Sequence, residues 1–192
     1  MSIRKIYLVR HGEYDWDSQP GPNKGLTSRG CEQARLTAKR LSSSSATVIY
    51  SSDLMRAVET AEIIKSELNG VPHETHMDLR ECYLRSPGTS AVPAEHLEAG
   101  RKQAEGVFEK YLSASADRKA EIIVSHGNII RFLTARVLGS SDHWFRMRTF
   151  NCGVTELDID SGGRMWVVSY NDVGHLPAYL ITEGLPSRTE SA

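Results

Sequence analysis

Two histidines and two arginines of this chain are placed where their side chains could carry out chemistry together. His11 directly follows Arg10 at the end of a short apolar run, and His126 follows a second apolar run. Arg56 comes a few residues after a third such run. An imidazole can act as a nucleophile, and guanidinium groups together with a helix amino terminus can hold an anion. The pattern therefore indicates a site for phosphoryl transfer.

Phosphoryl transfer also requires a proton donor for the leaving oxygen, and Glu81 is the candidate. It follows residues 78–80 at the start of a proline-rich stretch, from which we expect it to reach over the pocket. The alternative is an acidic side chain that contributes only to surface charge. The predicted catalytic residues are His11, Glu81, His126, Arg10 and Arg56, and the predicted phosphate-binding residues among them are Arg10, Arg56 and His126.

The chain around these positions alternates between strand and helix patterns. Short apolar runs rich in β-branched residues predict strands at residues 3–9, 47–50, 121–124, 155–159 and 165–170. Apolar residues at helical spacing predict helices at about residues 29–41, 54–68, 94–112 and 129–138. This order predicts an α/β fold, a three-layer α/β/α sandwich with a mostly parallel central sheet. Because sites in such sheets form at the carboxyl ends of strands, His11 and His126 are expected to meet.

Cap and turn residues mark the boundaries of these elements. Thr27 or Ser28 is predicted to cap the first helix and Asp53 the second. Residues 13–25 are rich in glycine and proline and are predicted to form an irregular loop. Residues 71–93 contain three prolines and are predicted to form a cap-like insertion over the sheet.

Length and composition set the expectations for the whole chain. Its 192 residues suit one domain, residues 1–192, with a C-terminal tail from about residue 175. A formal net charge of −1 gives no reason to expect nucleic acid or a membrane surface as a partner. Three widely spaced cysteines indicate reduced thiols, and the amino terminus carries no signal-peptide pattern. We therefore expect a cytoplasmic protein that binds no membrane.

Other residues with chemical potential are better explained by packing. His73 and His76 lack further ligands at a spacing typical of a metal site, so no metal or cofactor is predicted. Four apolar residues near position 147 are expected to cover the core or a helix edge: Trp144, Phe145, Met147 and Phe150. The alternative for this group is an interface, which leaves a homodimer open.

Four segments together resemble the histidine phosphatase superfamily, whose fold is called phosphoglycerate-mutase-like. They are residues 10–13 (Arg-His-Gly-Glu), residues 26–30 (Leu-Thr-Ser-Arg-Gly), residues 51–61 and residues 125–128 (Ser-His-Gly-Asn). The segments occur in the family's order, and the resemblance covers nearly the whole chain. It implies a covalent phosphohistidine on His11, a phosphate pocket formed by Arg10, Arg56 and His126, and Glu81 as the general acid.

Three further segments resemble a subgroup of protein-serine/threonine phosphatases within this family. They are residues 130–132, 151–155 and 171–177. The subgroup is anchored to a mitochondrial membrane and has an N-terminal extension for assembly, whereas this chain begins at the first strand, so we expect neither property. The mutases of the family carry a long basic insertion that has no counterpart between Glu81 and His96, so mutase activity is not expected.

Three functions remain open at this point. The leading hypothesis is a metal-independent phosphatase acting on phosphoserine or phosphothreonine in proteins. A phosphatase of a small phosphorylated metabolite is the second, and a non-catalytic module that binds a phosphorylated partner is the third. Lys24 and Arg85 are the only lysine or arginine within residues 13–25 and 82–93, which are expected to border the pocket. A rim with so little positive charge favours a substrate with one phosphoryl group.

Overall fold

One mixed sheet forms the centre of the molecule. The computed structural model describes residues 3–15, 23–84, 92–112 and 120–183. Its strands are β1 (Ile3–Arg10), β2 (Val48–Ser52), β3 (His73–His76), β4 (Ala120–Ser125), β5 (Val154–Asp160) and β6 (Met165–Asp172). They are arranged in the order β3-β2-β4-β1-β5-β6. The pairs among β3, β2, β4 and β1 are parallel, and β5 and β6 are antiparallel additions. The predicted mostly parallel sheet is confirmed.

Helices cover both faces of this sheet. They are α1 (Ser28–Leu41), α2 (Met55–Glu67), α3 (Ala94–Leu112) and α4 (Gly127–Val137). Successive side chains of a strand point to opposite faces, so Leu8 of β1 packs in the core beneath α3 and α4. Its neighbour Val9 packs in the second core, beneath α1 and α2. This arrangement confirms the predicted α/β/α layers.

The first part of residues 71–93 does not lie over the sheet as predicted. His73–His76 forms the edge strand β3, which pairs in parallel with β2. Its sequence, His-Glu-Thr-His, lacks the apolar alternation of a typical strand. Backbone pairing with β2 stabilises the strand conformation instead. A 3₁₀ turn, Met77–Leu79, comes next and buries Leu79. Residues 85–91, including Arg85, lie outside the described residues, as do residues 16–22 of the predicted loop.

One of the two predicted helix caps is wrong. Thr27 caps α1, because its side-chain oxygen accepts a hydrogen bond from the backbone N–H of Gly30 at 3.0 Å. The structure places Leu54, not Asp53, at the start of α2, and no side chain caps this helix. The Asp53 carboxylate instead pairs with the Arg80 guanidinium through two contacts of 2.6 and 2.7 Å. A bidentate ion pair is a stronger interaction than a single cap hydrogen bond.

The described segment after β6 packs against the body of the molecule. The last two strands, β5 and β6, pair antiparallel. Beyond β6, Leu176 and Leu180 are buried against Ala34 of α1 and against Cys152. In the chain segments that the structure describes, no helix combines the length and apolar character needed to cross a membrane.

Candidate active site

The sheet register brings His11 and His126 together. β1 and β4 are parallel neighbours, with Arg10 opposite Ser125, so the next residue of each strand extends beyond the same sheet edge. The two imidazole centroids lie 4.9 Å apart, and both side chains are buried. The backbone N–H of His11 also donates to the Ser125 carbonyl at 3.0 Å. The predicted meeting of the two histidines at the carboxyl ends of strands is therefore observed.

Hydrogen bonds define the tautomer of His11. Its Nδ1 lies 2.8 Å from the carbonyl oxygen of Gly12, which can only accept, so Nδ1 carries the proton. Its Nε2 accepts from the Arg56 Nε–H at 3.2 Å. Burial lowers the pKa of His11 well below its ordinary value, and the neighbouring His126, Arg10 and Arg56 lower it further. His11 is thus a neutral imidazole whose Nε2 lone pair faces the pocket.

His126 is held in the opposite tautomer. Its Nδ1 lies 3.3 Å from Nη2 of Arg56, which can only donate, so Nδ1 is the acceptor. Its Nε2–H then donates to the hydroxyl of Ser52 at 2.9 Å. Burial is the main reason that the pKa of His126 lies well below its ordinary value, and Arg56 and Arg10 add to the effect.

Arg56 links the two histidines and is covered by an aromatic ring. It lies in the first turn of α2 and is buried. Its guanidinium carbon lies 4.5 Å from the ring centroid of Tyr14, a cation–π contact. The same ring meets the His11 imidazole edge to face at 5.3 Å. Sequence reasoning missed Tyr14, for which the only signal is its position three residues after His11.

Arg10 presents an unused hydrogen-bond donor to this region. One of its terminal nitrogens donates to the backbone carbonyl of Thr149. Its Nε is buried and has no hydrogen-bond partner among the described residues. A buried N–H without an acceptor is costly, so the arrangement suits an anion that supplies an oxygen.

Glu81 lies at the open side of the same pocket. Its carboxylate accepts from the backbone N–H of Asn128 at 3.2 and 3.3 Å and from that of Cys82 at 3.2 Å. The residue as a whole is exposed, whereas its carboxyl group is packed among protein atoms. The resulting loss of water raises the pKa of Glu81, against the opposing effects of the Asn128 hydrogen bond and of Arg10.

Gly127 shows how close the two sides of the pocket are. A Cβ added to Gly127 would lie 3.8 Å from both the Arg10 guanidinium carbon and a carboxylate oxygen of Glu81. The structure thus brings all five predicted site residues into one pocket: Arg10, His11, Arg56, Glu81 and His126.

Other residues of the shared motifs hold the loop after His11 in place. The Glu13 carboxylate binds the Thr27 hydroxyl at 2.9 Å and the Arg29 guanidinium at 3.1 Å. A Cβ on Gly30 would lie 2.0 Å from the Glu13 carbonyl oxygen, so only glycine permits this approach of loop and helix. The last residue of the first motif segment therefore meets the second segment at the start of α1.

A buried amide supports His11 from behind. Asn151 is fully buried, and its Nδ2 donates to the backbone carbonyl of His11 at 2.9 Å. On the other side of the loop, the Gly12 N–H donates to the Thr60 hydroxyl of α2 at 3.0 Å. Sequence reasoning assigned no role to Asn151. Its signal was that it lies in the segment 151–155, which resembles the protein-phosphatase subgroup and runs into the predicted strand that became β5.

The histidines considered for metal binding lie elsewhere. His73 is hydrogen-bonded at both ring nitrogens, to Glu62 at 2.6 Å and to the Ser51 hydroxyl at 2.7 Å. Within the four described ranges, no group of three or more histidine, cysteine or acidic residues is arranged to hold a metal ion.

Comparison of the sequence with known protein families defines the class of this protein. The sequence profile of the histidine phosphatase superfamily, branch 1, matches residues 6–87 and 83–173. The chain belongs to this family, as its four motif segments predicted.

Its relatives include named protein phosphatases. The chain is 33% identical over 197 residues to the mitochondrial serine/threonine-protein phosphatase Pgam5 of Caenorhabditis elegans, covering 94% of this chain and 67% of that protein. It is 32% identical over 193 residues to the human protein of that name, covering 94% and 66%. This chain therefore spans about two thirds of the length of these relatives. The comparison supports a phosphatase.

The expected cytoplasmic location is contradicted by these relatives. Both are named mitochondrial proteins. The expectation rested on net charge, cysteine number and the amino-terminal pattern. A net charge near zero and a small number of cysteines are compatible with more than one reducing compartment. The start of this sequence does not decide between these locations.

Solved structures with the same fold confirm the architecture. Phosphoglycerate mutase of Plasmodium falciparum superposes with a TM-score of 0.65 and 29% identity, covering 93% of this chain and 96% of that one. The α-ribazole phosphatase of Shigella flexneri superposes with a TM-score of 0.72 over 88% and 96%. At 21% identity, the second likeness concerns the fold alone. The predicted phosphoglycerate-mutase-like fold is confirmed.

Proposed function

We propose that this protein is a metal-independent protein-serine/threonine phosphatase that forms a phosphohistidine on His11. The observation that carries the proposal is the orientation of His11. Its Nδ1–H is engaged by the Gly12 carbonyl, and its unprotonated Nε2 faces the pocket beside Arg56. Nucleophilic attack on phosphorus requires a neutral imidazole with an unprotonated nitrogen at a fixed position, and the Nε2 lone pair becomes available when the Arg56 N–H donates to the phosphoryl group instead.

In the first step, Nε2 of His11 forms a bond to phosphorus while the bond to the serine or threonine oxygen breaks. The unused Nε–H of Arg10 and the donors of Arg56 stabilise the negative charge on the phosphoryl oxygens. When an anion accepts the Arg56 N–H groups, His126 loses its present partner at Nδ1. His126 then takes up a proton at Nδ1, which the negative charge of the phosphate favours, and donates it in a hydrogen bond to a phosphoryl oxygen on the same face of the pocket.

Glu81 supplies the proton that the leaving oxygen needs. A raised pKa keeps a larger fraction of its carboxyl protonated, and its closeness to Arg10 across Gly127 supports a role at the departing oxygen. In the second step, a water molecule attacks phosphorus and the phosphorus–nitrogen bond breaks. The Glu81 carboxylate accepts the proton of that water and returns to its initial state.

The protein substrate is supported by two observations. The relatives in worm and human are named serine/threonine-protein phosphatases. The segments expected to border the pocket also carry only two basic side chains, Lys24 and Arg85. A single phosphoryl group on an extended peptide needs the inner pocket alone, whereas a second phosphate would need its own cationic partners.

A small phosphorylated metabolite is the second candidate. It is favoured by the 29% identity to a phosphoglycerate mutase, an enzyme named for such a molecule. The test is kcat/KM for a panel of phosphoserine and phosphothreonine peptides against bisphosphorylated sugars and glycerates, with a chelator present. We expect at least about a tenfold preference for peptides. A tenfold preference for any bisphosphorylated metabolite would instead select the second candidate.

A further inference from the structure

The segment that carries Glu81 is anchored on its upstream side by the sheet and by α3. The Ser125 hydroxyl donates to the Leu79 carbonyl at 2.8 Å, and the Gln103 side chain donates to the Arg80 carbonyl at 2.8 Å. These contacts hold the chain just before the carboxyl group. They leave the position of Glu81 itself dependent on the contacts of its own side chain and of Cys82.

On the downstream side, Asn128 makes both of the anchoring contacts from α4. Its backbone N–H donates to the Glu81 carboxylate, and its side-chain Nδ2 donates to the Cys82 carbonyl at 2.8 Å. One residue in the first turn of α4 therefore holds both the carboxyl group and the next peptide unit. The second contact exists only while the Asn128 amide has its NH₂ group directed at Cys82.

Arg131 determines that orientation of the amide. One of its terminal nitrogens donates to Oδ1 of Asn128. Because a guanidinium group has no acceptor, the amide oxygen must face Arg131 and the NH₂ group must face Cys82. The guanidinium is itself held by the Gly127 carbonyl at 3.1 Å and the Met147 carbonyl at 3.3 Å. It also lies 5.2 Å from the ring centroid of Trp144.

We propose that Arg131, acting through the Asn128 amide, is a positioning residue for Glu81. The role rests on the proposed function, in which Glu81 protonates the leaving oxygen. Without the guanidinium, the amide is free to rotate and the hydrogen bond to Cys82 is lost. The carboxyl group then leaves the position from which it reaches the leaving group. A displacement of about 1 Å in a catalytic group lowers the rate by as much as about a hundredfold.

The test is the variant Arg131→Met, which keeps an apolar stem against Trp144 and loses every donor. Its matched control is Arg136→Met on the same helix, where the guanidinium contacts the half-buried Glu105 and the ring of Phe108 among the described residues. Both are compared with the unchanged protein in kcat/KM for a phosphoserine peptide and for para-nitrophenyl phosphate. Phosphoserine needs a proton on its leaving oxygen, and para-nitrophenolate departs without one.

We expect Arg131→Met to lose about tenfold to a hundredfold on phosphoserine and less than about threefold on para-nitrophenyl phosphate. Arg136→Met should retain both activities. Asn128→Ala, which removes the link to Cys82 in another way, should show the same separation of substrates. It carries the test if Arg131→Met does not fold, as judged by its thermal unfolding.

A double variant decides whether the effect passes through Glu81. Adding Arg131→Met to Glu81→Gln should cost little more on phosphoserine, because residues of one network are not additive. Equal losses on both substrates, or full additivity, would overturn the positioning role.

Glu81→Gln alone distinguishes a failure of the proposed acid from a failure of the positioning role of Arg131. If it affects both substrates equally, the proposed acid fails and the role of Arg131 fails with it. If Glu81→Gln separates the substrates and Arg131→Met does not, only the role of Arg131 is overturned.

Discussion

The two sides of the pocket are built in different ways. His11 and His126 directly follow neighbouring strands in the interior of the sheet, and both are buried. Glu81 comes after a 3₁₀ turn, is exposed, and depends for its position on the backbone N–H and the side-chain amide of Asn128 in α4. The side that holds phosphate therefore takes its precision from backbone register. The position of the proton donor depends instead on hydrogen bonds of the Glu81 and Asn128 side chains, which single substitutions can remove more easily.

Burial has opposite chemical results on these two sides. It disfavours the charged form of every group, so it lowers the pKa of His11 and His126 and raises that of Glu81. Each imidazole is left neutral, with a single N–H, and the carboxyl group tends to keep its proton. A neutral nucleophile and a protonated acid thus result from one physical cause.

The largest effect is expected on the buried side. His11→Ala should lower turnover by about ten-thousand-fold or more, because it removes the atom that bonds to phosphorus. The fold should persist, since the residue lies beyond the end of β1. When the unchanged protein is quenched during turnover of a labelled substrate, it should carry a phosphoryl group that is stable in base and labile in acid. The variant should lack this group. Turnover of the variant within tenfold of the original would contradict a nucleophilic His11.

A smaller loss is expected from Arg56→Ala on the same side. It removes the donors beside both imidazoles and should lower kcat/KM by about a hundredfold or more on every substrate, whatever the leaving group. Inhibition by vanadate should weaken in parallel. Arg40→Ala is the control, because that exposed guanidinium contacts Asp172 at 3.5 Å, away from the pocket. Vanadate inhibition unchanged in Arg56→Ala would exclude this arginine from the anion site.

The exposed side should be recognised by its pH dependence. Burial raises the pKa of Glu81, so kcat/KM for phosphoserine should fall only above the range of an ordinary carboxyl group, as Glu81 loses its proton. Glu81→Gln should be less active and should lack this limb of the profile. A fall in kcat/KM at the same pH in both proteins would reflect ionisation of the substrate or of another group in the protein. Profiles of identical shape would show that Glu81 is not the acid.

The smallest effect concerns the packing behind His11. Gly30→Ala should lower the free energy of unfolding by about 1–3 kcal/mol, because its Cβ would collide with the Glu13 backbone. Gly106→Ala in α3 is the matched control, since a Cβ there meets nothing within 4 Å. It should raise stability by about 0.5–1 kcal/mol. Urea unfolding measures both, and a Gly30→Ala protein as stable as the original would show that the loop yields without cost.

The fold and the buried side of the pocket were largely predictable from sequence. Apolar runs identified β1 and β4, and His11 and His126 came directly after them. β3 was missed because its four polar residues carry no strand pattern and pair only when β2 is already in place. Asp53 was misplaced as a helix cap for a similar reason. Its partner Arg80 is distant in sequence and becomes available only in the folded chain.

The sequence by itself determined the family, the layered fold and the residue types that could hold and transfer a phosphoryl group. These depend on local patterns, namely the alternation of apolar runs and the short motifs at their ends. Only the tertiary structure decided which nitrogen of His11 is unprotonated and that Tyr14 covers Arg56. It also decided that Arg131 reaches Glu81 through Asn128. Tautomers, pKa shifts and hydrogen-bond chains depend on neighbours that are remote in sequence, so no local pattern records them.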